Sequence, residues 1–142
     1  MSNPKTPKRP YADLRCHQGR NDLYFLSGQI GAREDPDKGL VLVDGGVHAQ
    51  TLAALENVHK KITTITKDMG WGPSAKLDDV IKCTLYIVDI AKNYSLVNEA
   101  YLSFFTNKEV ETLPARTVVG VAGLPLGALI EIDVIASVRD TR

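Results

Sequence analysis

Two charged residues near the C-terminal end of the chain stand inside apolar, strand-like runs. Arg116 lies in the run LPARTVVGVA, and Glu131 lies in the run ALIEIDVIA. A charge on a half-buried strand must be paired, solvated or used, because an unpaired buried charge is very costly. An arginine on a rigid strand is suited to bidentate binding of a carboxylate, and a nearby glutamate could activate water or shuttle a proton. The two residues therefore indicate a carboxylate-binding pocket, with a structural ion pair as the alternative.

The spacing of these residues argues against a salt bridge within one chain. If the turn at 124–127 joins the last two strands as a hairpin centred near residue 126, Glu131 lies opposite about residue 121. Arg116 is then roughly 17 Å away along the strand. We therefore expect each charge to find its partner in a neighbouring subunit, a ligand or solvent.

Other kinds of reactive site find little support. The histidines at 17, 48 and 59 do not match zinc-ligand spacings, and no GxSxG, GxGxxG or P-loop motif occurs, so we expect no metal. Cys83 lies in a strand-like run and is typical of a core thiol. The neighbouring Asp78-Asp79 pair indicates a solvated turn.

The composition is that of one globular domain. The chain has 142 residues, of which 44% are hydrophobic and 24% charged. Lys+Arg and Asp+Glu number 17 each, so net charge gives no general attraction to nucleic acid or membrane. Two cysteines and no signal peptide predict reduced thiols in a cytoplasmic protein, and the broken apolar run 118–130 does not predict a membrane span. Residues 1–10, which are basic and rich in proline, predict a flexible tail before a single domain at 11–142.

Apolar periodicity predicts the element order β-β-α-β-α-β-β. We expect strands over 23–30, 40–43, 80–88, 116–122 and 129–138. The clearest helix runs from near Asp44 to near Gly70, and the second begins at Asn93 or Ser95 as its cap. The charged segment 31–39 reads as a loop.

This order predicts an α+β fold in which two helices cover one face of a single sheet. The second face would carry apolar side chains, with Val118, Val121, Ile132 and Val134 as candidates. An apolar second face requires a partner subunit, so we expect a homo-oligomer.

Several segments together resemble the RidA/YjgF family of reactive intermediate deaminases. They are FLSGQI at 25–30, GGVHAQT at 45–51, ALEN at 54–57, LDDVIK at 77–82, VNEAY at 97–101, PARTVV at 114–119, LP at 124–125 and IEI at 130–132. The resemblance implies a chorismate-mutase-like fold, with one mixed sheet and two helices on one face, assembled as a homotrimer with clefts between subunits. It also implies hydrolysis of enamine and imine acids, such as 2-aminoacrylate, to 2-oxo acids and ammonia without a cofactor.

The same likeness suggests roles for individual residues. Arg116 would hold the substrate carboxylate, and Glu131 would position or activate the water. Ser27, Gly28 and Asn98 would line the pocket, with the Gly28 N–H contacting the ligand. Structural roles are the alternative for these three: the end of a strand, a bend, and support of a helix start.

The chain departs from the family pattern in two places. Val118 stands where many members carry a cysteine, which removes a thiol role but leaves the arginine and glutamate chemistry intact. Tyr11 would be the pocket tyrosine, but the stretch 12–22 that follows it is longer and altered. This edge of the cleft could therefore select a different substrate.

Two other functions stay open. A non-catalytic trimer could hold a small carboxylate or a partner protein in the same cleft, although a pure carboxylate binder needs only the arginine. An endoribonuclease or translation inhibitor is the third possibility, since that activity is also attached to the family. The balanced charge and the lack of a basic-aromatic cluster argue against it.

Overall fold

A computed structural model describes residues 10–12, 20–69 and 74–139. The expectations for residues 1–9, for Cys16 and His17, and for the helix end at Gly70 lie outside the described residues. So does most of the altered stretch 12–22.

The described chain forms a mixed sheet of four strands and a separate hairpin. The elements are β1 (Asn21–Ile30), β2 (Ala32–Asp35), β3 (Gly39–Leu42), α1 (Gly46–Met69), β4 (Val80–Val88), α2 (Ile90–Asn107), β5 (Ala115–Val121) and β6 (Ile130–Arg139). The sheet order is β1-β6-β4-β5, in which β6 is antiparallel to both neighbours and β5 is parallel to β4. Strands β2 and β3 pair with each other, so the segment predicted as a charged loop contains a strand. Its polar residues give no apolar alternation, and only the pairing with β3 makes it extended.

Both helices pack on one face of the sheet and close a single core. Alternate strand residues point toward them, because successive side chains of a strand face opposite sides. The core includes Leu55, Val58, Ile62, Cys83, Leu85, Ile87, Val97, Tyr101, Phe105, Ile130, Ile132 and Val134. The prediction of two helices on a mixed sheet is therefore confirmed. Among the described residues, neither helix is long and apolar enough to cross a membrane.

The predicted start of the second helix was wrong. Helix α2 begins at Ile90, with Asp89 as its N-cap in the left-handed conformation at φ 50°. Asn93 lies inside the first turn, where it is buried and its Nδ2 donates to the Val88 carbonyl at 2.7 Å. Ser95 is also inside the helix. Asn is a common N-cap residue, but here its side chain hydrogen-bonds to the end of the preceding strand from inside the helix. The residue type alone does not distinguish these two positions, which explains the error.

The predicted hairpin between the last two strands was also wrong. Strand β4 lies between β5 and β6, and helix α2 provides the crossover that parallel pairing of β4 with β5 requires. The turn Pro125–Gly127 forms a short 3-10 helix before β6.

The face away from the helices carries Val121, as predicted, but not the other three candidates. Ile132 and Val134 are 0% and 2% exposed because they belong to the core, and Val118 packs against that core. The open face instead carries the acidic residues of β6 together with two exposed apolar side chains of β1. Those side chains are Leu23, 55% exposed, and Phe25, 73% exposed. Because the run IEIDVIA alternates strictly, the side of the sheet that its isoleucines take decides where its carboxylates go.

Candidate active site

Arg116 lies on the helix side of β5, directly beside Cys83 of β4. Its Nη2 donates a hydrogen bond to Asn98 Oδ1 at 2.8 Å. Its Cζ lies 4.9 Å from the centre of the Tyr101 ring and 5.8 Å from the centre of the Tyr11 ring. The guanidinium is therefore held between helix α2 and the N-terminal segment. Asn98 contacts it from the middle of α2 and does not support the helix start.

Backbone pairing brings Tyr11 to this position. Ala12 forms a parallel bridge with Ala115, and the Ala12 N–H donates to the Pro114 carbonyl at 3.1 Å. Strand β5 is at the edge of the sheet, so the segment around Ala12 extends that edge beside Arg116. Tyr11 thus meets the arginine in spite of its unusual spacing in the sequence.

One donor of Arg116 lacks an acceptor in the part of the chain that the structure describes. Nη1 is buried and has no hydrogen-bond partner among the residues that the structure describes. A buried donor without a partner costs free energy that an incoming acceptor recovers. A carboxylate is the acceptor that matches a guanidinium best in charge and geometry. The surroundings of Arg116 are therefore suited to binding a small carboxylate.

Two neutral groups lie next to the guanidinium. Burial raises the pKa of the Cys83 thiol to about 12 and that of the Tyr101 phenol well above its usual value. Both groups stay protonated at neutral pH, so neither adds a negative charge that would repel a bound anion.

Glu131 lies on the opposite face of the sheet. Its neighbours Ile130 and Ile132 are fully buried against the helices, so its own side chain points to the open face. There it passes beneath the irregularity in β1 at Ser27 and Gly28. A Cβ on Gly28 would lie 2.8 Å from both Cδ and Oε1 of Glu131, so only glycine leaves room for the carboxylate.

A tyrosine and a second carboxylate accompany Glu131 on that face. Tyr86 is its register partner on β4, and the Tyr86 hydroxyl donates to Asp133 Oδ2 at 3.3 Å. The charge of Asp133 is the main cause that raises the pKa of Tyr86, followed by burial, with a smaller contribution from Glu131.

The predicted site residues thus form two separate groups. The first group is Tyr11, Asn98 and Arg116, and the second group is Ser27, Gly28 and Glu131. Arg116 on β5 aligns with Cys83 of β4, and Glu131 on β6 aligns with Tyr86 of β4. The two residues are therefore separated by three positions along the strands and by two strand spacings across the sheet. These offsets place the two Cα atoms roughly 14 Å apart, with side chains on opposite faces. Within one chain, Glu131 does not reach the surroundings of Arg116.

The remaining candidates take structural positions. Asp79 Oδ2 accepts from the Lys76 N–H at 2.8 Å, and Asp78 Oδ1 accepts from the Glu111 N–H at 3.2 Å, so this pair orders two loops. Across the described ranges, no group of three or more His, Cys, Asp and Glu side chains could hold a metal ion.

Sequence reasoning missed the part that Tyr101 takes in this site. It belonged to the apolar stripe of the second helix, and the signal available was its spacing of three from Asn98, which puts both on one side of α2.

The residues at 3–138 match the profile of the protein family described as Endoribonuclease L-PSP, which is the YjgF/RidA family. The chain belongs to this family. Among its relatives, a RutC family protein of Aquifex aeolicus is 36% identical over 138 residues, which is 96% of this chain and 98% of that protein. The 2-iminobutanoate/2-iminopropanoate deaminase of Salmonella typhimurium is 38% identical over 114 residues, covering 80% and 78% of the two chains.

A solved structure shows the same fold. The crystal structure of Escherichia coli TdcF with bound serine matches at a TM-score of 0.62 and 30% identity, covering 96% of this chain and 99% of TdcF. The family's α+β arrangement, with two helices packed on a mixed sheet, is therefore also the arrangement of this chain.

Proposed function

We propose that the protein hydrolyses 2-imino and enamine acids, such as 2-aminoacrylate, to 2-oxo acids and ammonia. The observation that carries this proposal is the guanidinium of Arg116. It is fixed through Nη2, and its buried Nη1 has no partner in the described part of the chain. The deaminase name of the Salmonella relative and the serine bound to TdcF support a small, nitrogen-bearing carboxylate as the substrate.

We further propose that the site forms between subunits of a homotrimer. Arg116 and Glu131 face opposite sides of the sheet, so only a second copy of the chain can bring a Glu131 to an Arg116. Strand β5 is a sheet edge, and Phe25 on β1 is 73% exposed, so both proposed contributors border surface that a second copy could cover. In this arrangement, Arg116 of one subunit faces Gly28 and Glu131 of the next.

The proposed chemistry requires few groups. Arg116 Nη1 donates to the substrate carboxylate and so fixes the position of the adjacent imine carbon. Glu131 accepts a proton from water as the water oxygen bonds to the carbon of the protonated imine, which gives a neutral carbinolamine. That proton passes from Glu131 to the nitrogen, and Glu131 then takes the hydroxyl proton as the C=O bond of the 2-oxo acid forms and the C–N bond breaks with its electrons leaving on ammonia. An enamine substrate first takes a proton from solvent at its terminal carbon to become the same protonated imine.

The proposal is tested by following the decay of 2-aminoacrylate or 2-iminobutanoate that is generated in the cuvette. Arg116→Ala should raise KM strongly, and Glu131→Gln should lower kcat by about 100-fold, which is typical for loss of a general base. Arg33→Ala and Glu34→Gln are the matched controls, since they make the same two changes of side chain on the separate β2–β3 hairpin. If the wild-type protein speeds the decay of no imino acid tried, the proposed reaction is wrong. If Glu131→Gln keeps full activity, the role of Glu131 is wrong even though the reaction stands.

A further inference from the structure

Tyr101 has no part in the proposed mechanism, yet its ring lies against the guanidinium of Arg116. The distance from Arg116 Cζ to the ring centre is 4.9 Å, and Tyr101 is 0% exposed. Asn98 precedes Tyr101 by about one helical turn on α2 and accepts the hydrogen bond from Nη2. Helix α2 therefore contacts the guanidinium twice, once through the Asn98 amide and once through the Tyr101 ring.

The Tyr101 ring is itself held in place. It packs against Phe105 with the ring centres 4.7 Å apart, and Phe105 packs edge-on against Phe104 at 5.4 Å. The Tyr101 hydroxyl lies near the Cys83 thiol but forms no hydrogen bond of good geometry with any described residue. The contact of the ring with Arg116 is thus a polar interaction that this buried tyrosine makes through its face.

We propose that Tyr101 is a positioning residue for Arg116, which fixes the plane of the guanidinium so that Nη1 stays directed at the ligand. The hydrogen bond from Nη2 to Asn98 fixes one edge of the guanidinium but leaves rotation about the N···O direction. Contact with a buried ring opposes that rotation, and a desolvated contact between a cation and a ring is worth enough to do so. This inference rests on the proposed function only for the identity of the ligand.

The decisive comparison uses Tyr101→Leu and Phe105→Leu. Both variants remove one buried ring from the same cluster, but only the first removes the ring that contacts Arg116. Binding of 2-oxobutanoate is measured by calorimetry, together with KM and kcat for 2-iminobutanoate. Tyr101→Leu should raise Kd and KM about tenfold while kcat changes less than about twofold, because carboxylate binding is shared by ground and transition states. Tyr101→Phe, which retains the ring, should rescue the affinity to within about twofold of wild type.

Two results would overturn the proposal: wild-type affinity in Tyr101→Leu, or an equal loss of affinity in Phe105→Leu. A second measurement decides the matter if Tyr101→Leu does not fold or if no ligand binds. In nitrogen-15 spectra, the side-chain N–H signals of Arg116, assigned by their loss in Arg116→Ala, should be shifted upfield by the ring in wild type and in Tyr101→Phe. Arg116 signals at ordinary positions would refute the stacking whether or not the protein is a deaminase.

Discussion

Mixing two inactive variants should restore activity, because in the proposed trimer the two catalytic residues come from different subunits. Arg116→Ala lacks the carboxylate clamp, and Glu131→Gln lacks the base, so each protein alone should have at most about 1% of wild-type activity under subsaturating substrate. The two side chains of one chain lie on opposite sheet faces, roughly 14 Å apart at Cα. A cleft between two chains is intact when its arginine comes from the Glu131→Gln chain and its glutamate from the Arg116→Ala chain.

The size of the recovery follows from random assembly. In an equimolar mixture, the chain that supplies the arginine of a cleft is the Glu131→Gln chain with a probability of one half. The chain that supplies the glutamate is the Arg116→Ala chain with the same probability, so about a quarter of the clefts in a ring of identical contacts are intact. The two variants are unfolded together, refolded, and assayed on 2-iminobutanoate generated in the cuvette. We expect about 25% of wild-type activity from the mixture.

The matched control replaces Glu131→Gln with the double variant Arg116→Ala/Glu131→Gln. This mixture contains no Arg116 at all, so it should stay inactive although the same subunits exchange. Differently tagged chains show whether the mixtures contain mixed oligomers. If they do, and the activity of the mixture only equals the sum of the activities of the separate variants, the shared cleft is refuted.

Three further predictions follow from particular contacts. Gly28→Ala should lower kcat about tenfold in steady-state assays, because its Cβ would displace the Glu131 carboxylate 2.8 Å away. Gly123→Ala, whose Cβ would meet no described atom within 4 Å, should leave kcat unchanged, and equal effects of the two variants would contradict this role of Gly28. Val118→Cys, which restores the thiol common in the family, should change kcat/KM by less than about twofold, and a large gain would mean that the thiol takes part. The pKa of Cys83 is raised by burial to about 12, so its contribution to stability is full below its unfolded pKa and is lost as pH rises toward 12. Denaturation of wild type should therefore lose up to about 1.4 kcal/mol per pH unit more than Cys83→Ala above pH 9, and parallel curves would contradict the assignment.

Local pattern alone was enough for most elements of this fold. The recurrence of apolar residues every three or four positions predicted helix α1, and β-branched runs predicted the strands of the main sheet. These signals are local, because each element must bury one side of itself wherever it packs. Strand β2 escaped prediction since its residues are polar and its pairing with β3 is what extends it.

Arrangement in space was not available from the same patterns. The sequence predicted that β5 and β6 form a hairpin, but the crossover through α2 places β4 between them. It also predicted Ile132 and Val134 on the open face, although a strand that alternates strictly is equally compatible with either orientation. Strand order and facing depend on which distant segments share the core, and this is a property of the whole chain.

The properties of the candidate site also divide into those that the sequence predicts and those that depend on the tertiary structure. By itself, the sequence determined that Arg116 and Glu131 are charges in apolar strands, which must find a partner or a use. Only the tertiary structure decided that they face opposite sides of the sheet, that Tyr11 returns to Arg116 through the bridge at Ala12, and that the Tyr101 ring lies against the guanidinium. The physical reason is that charge and apolarity are properties of each residue. Distance and orientation arise only when strands from remote parts of the chain pair and α2 packs across them.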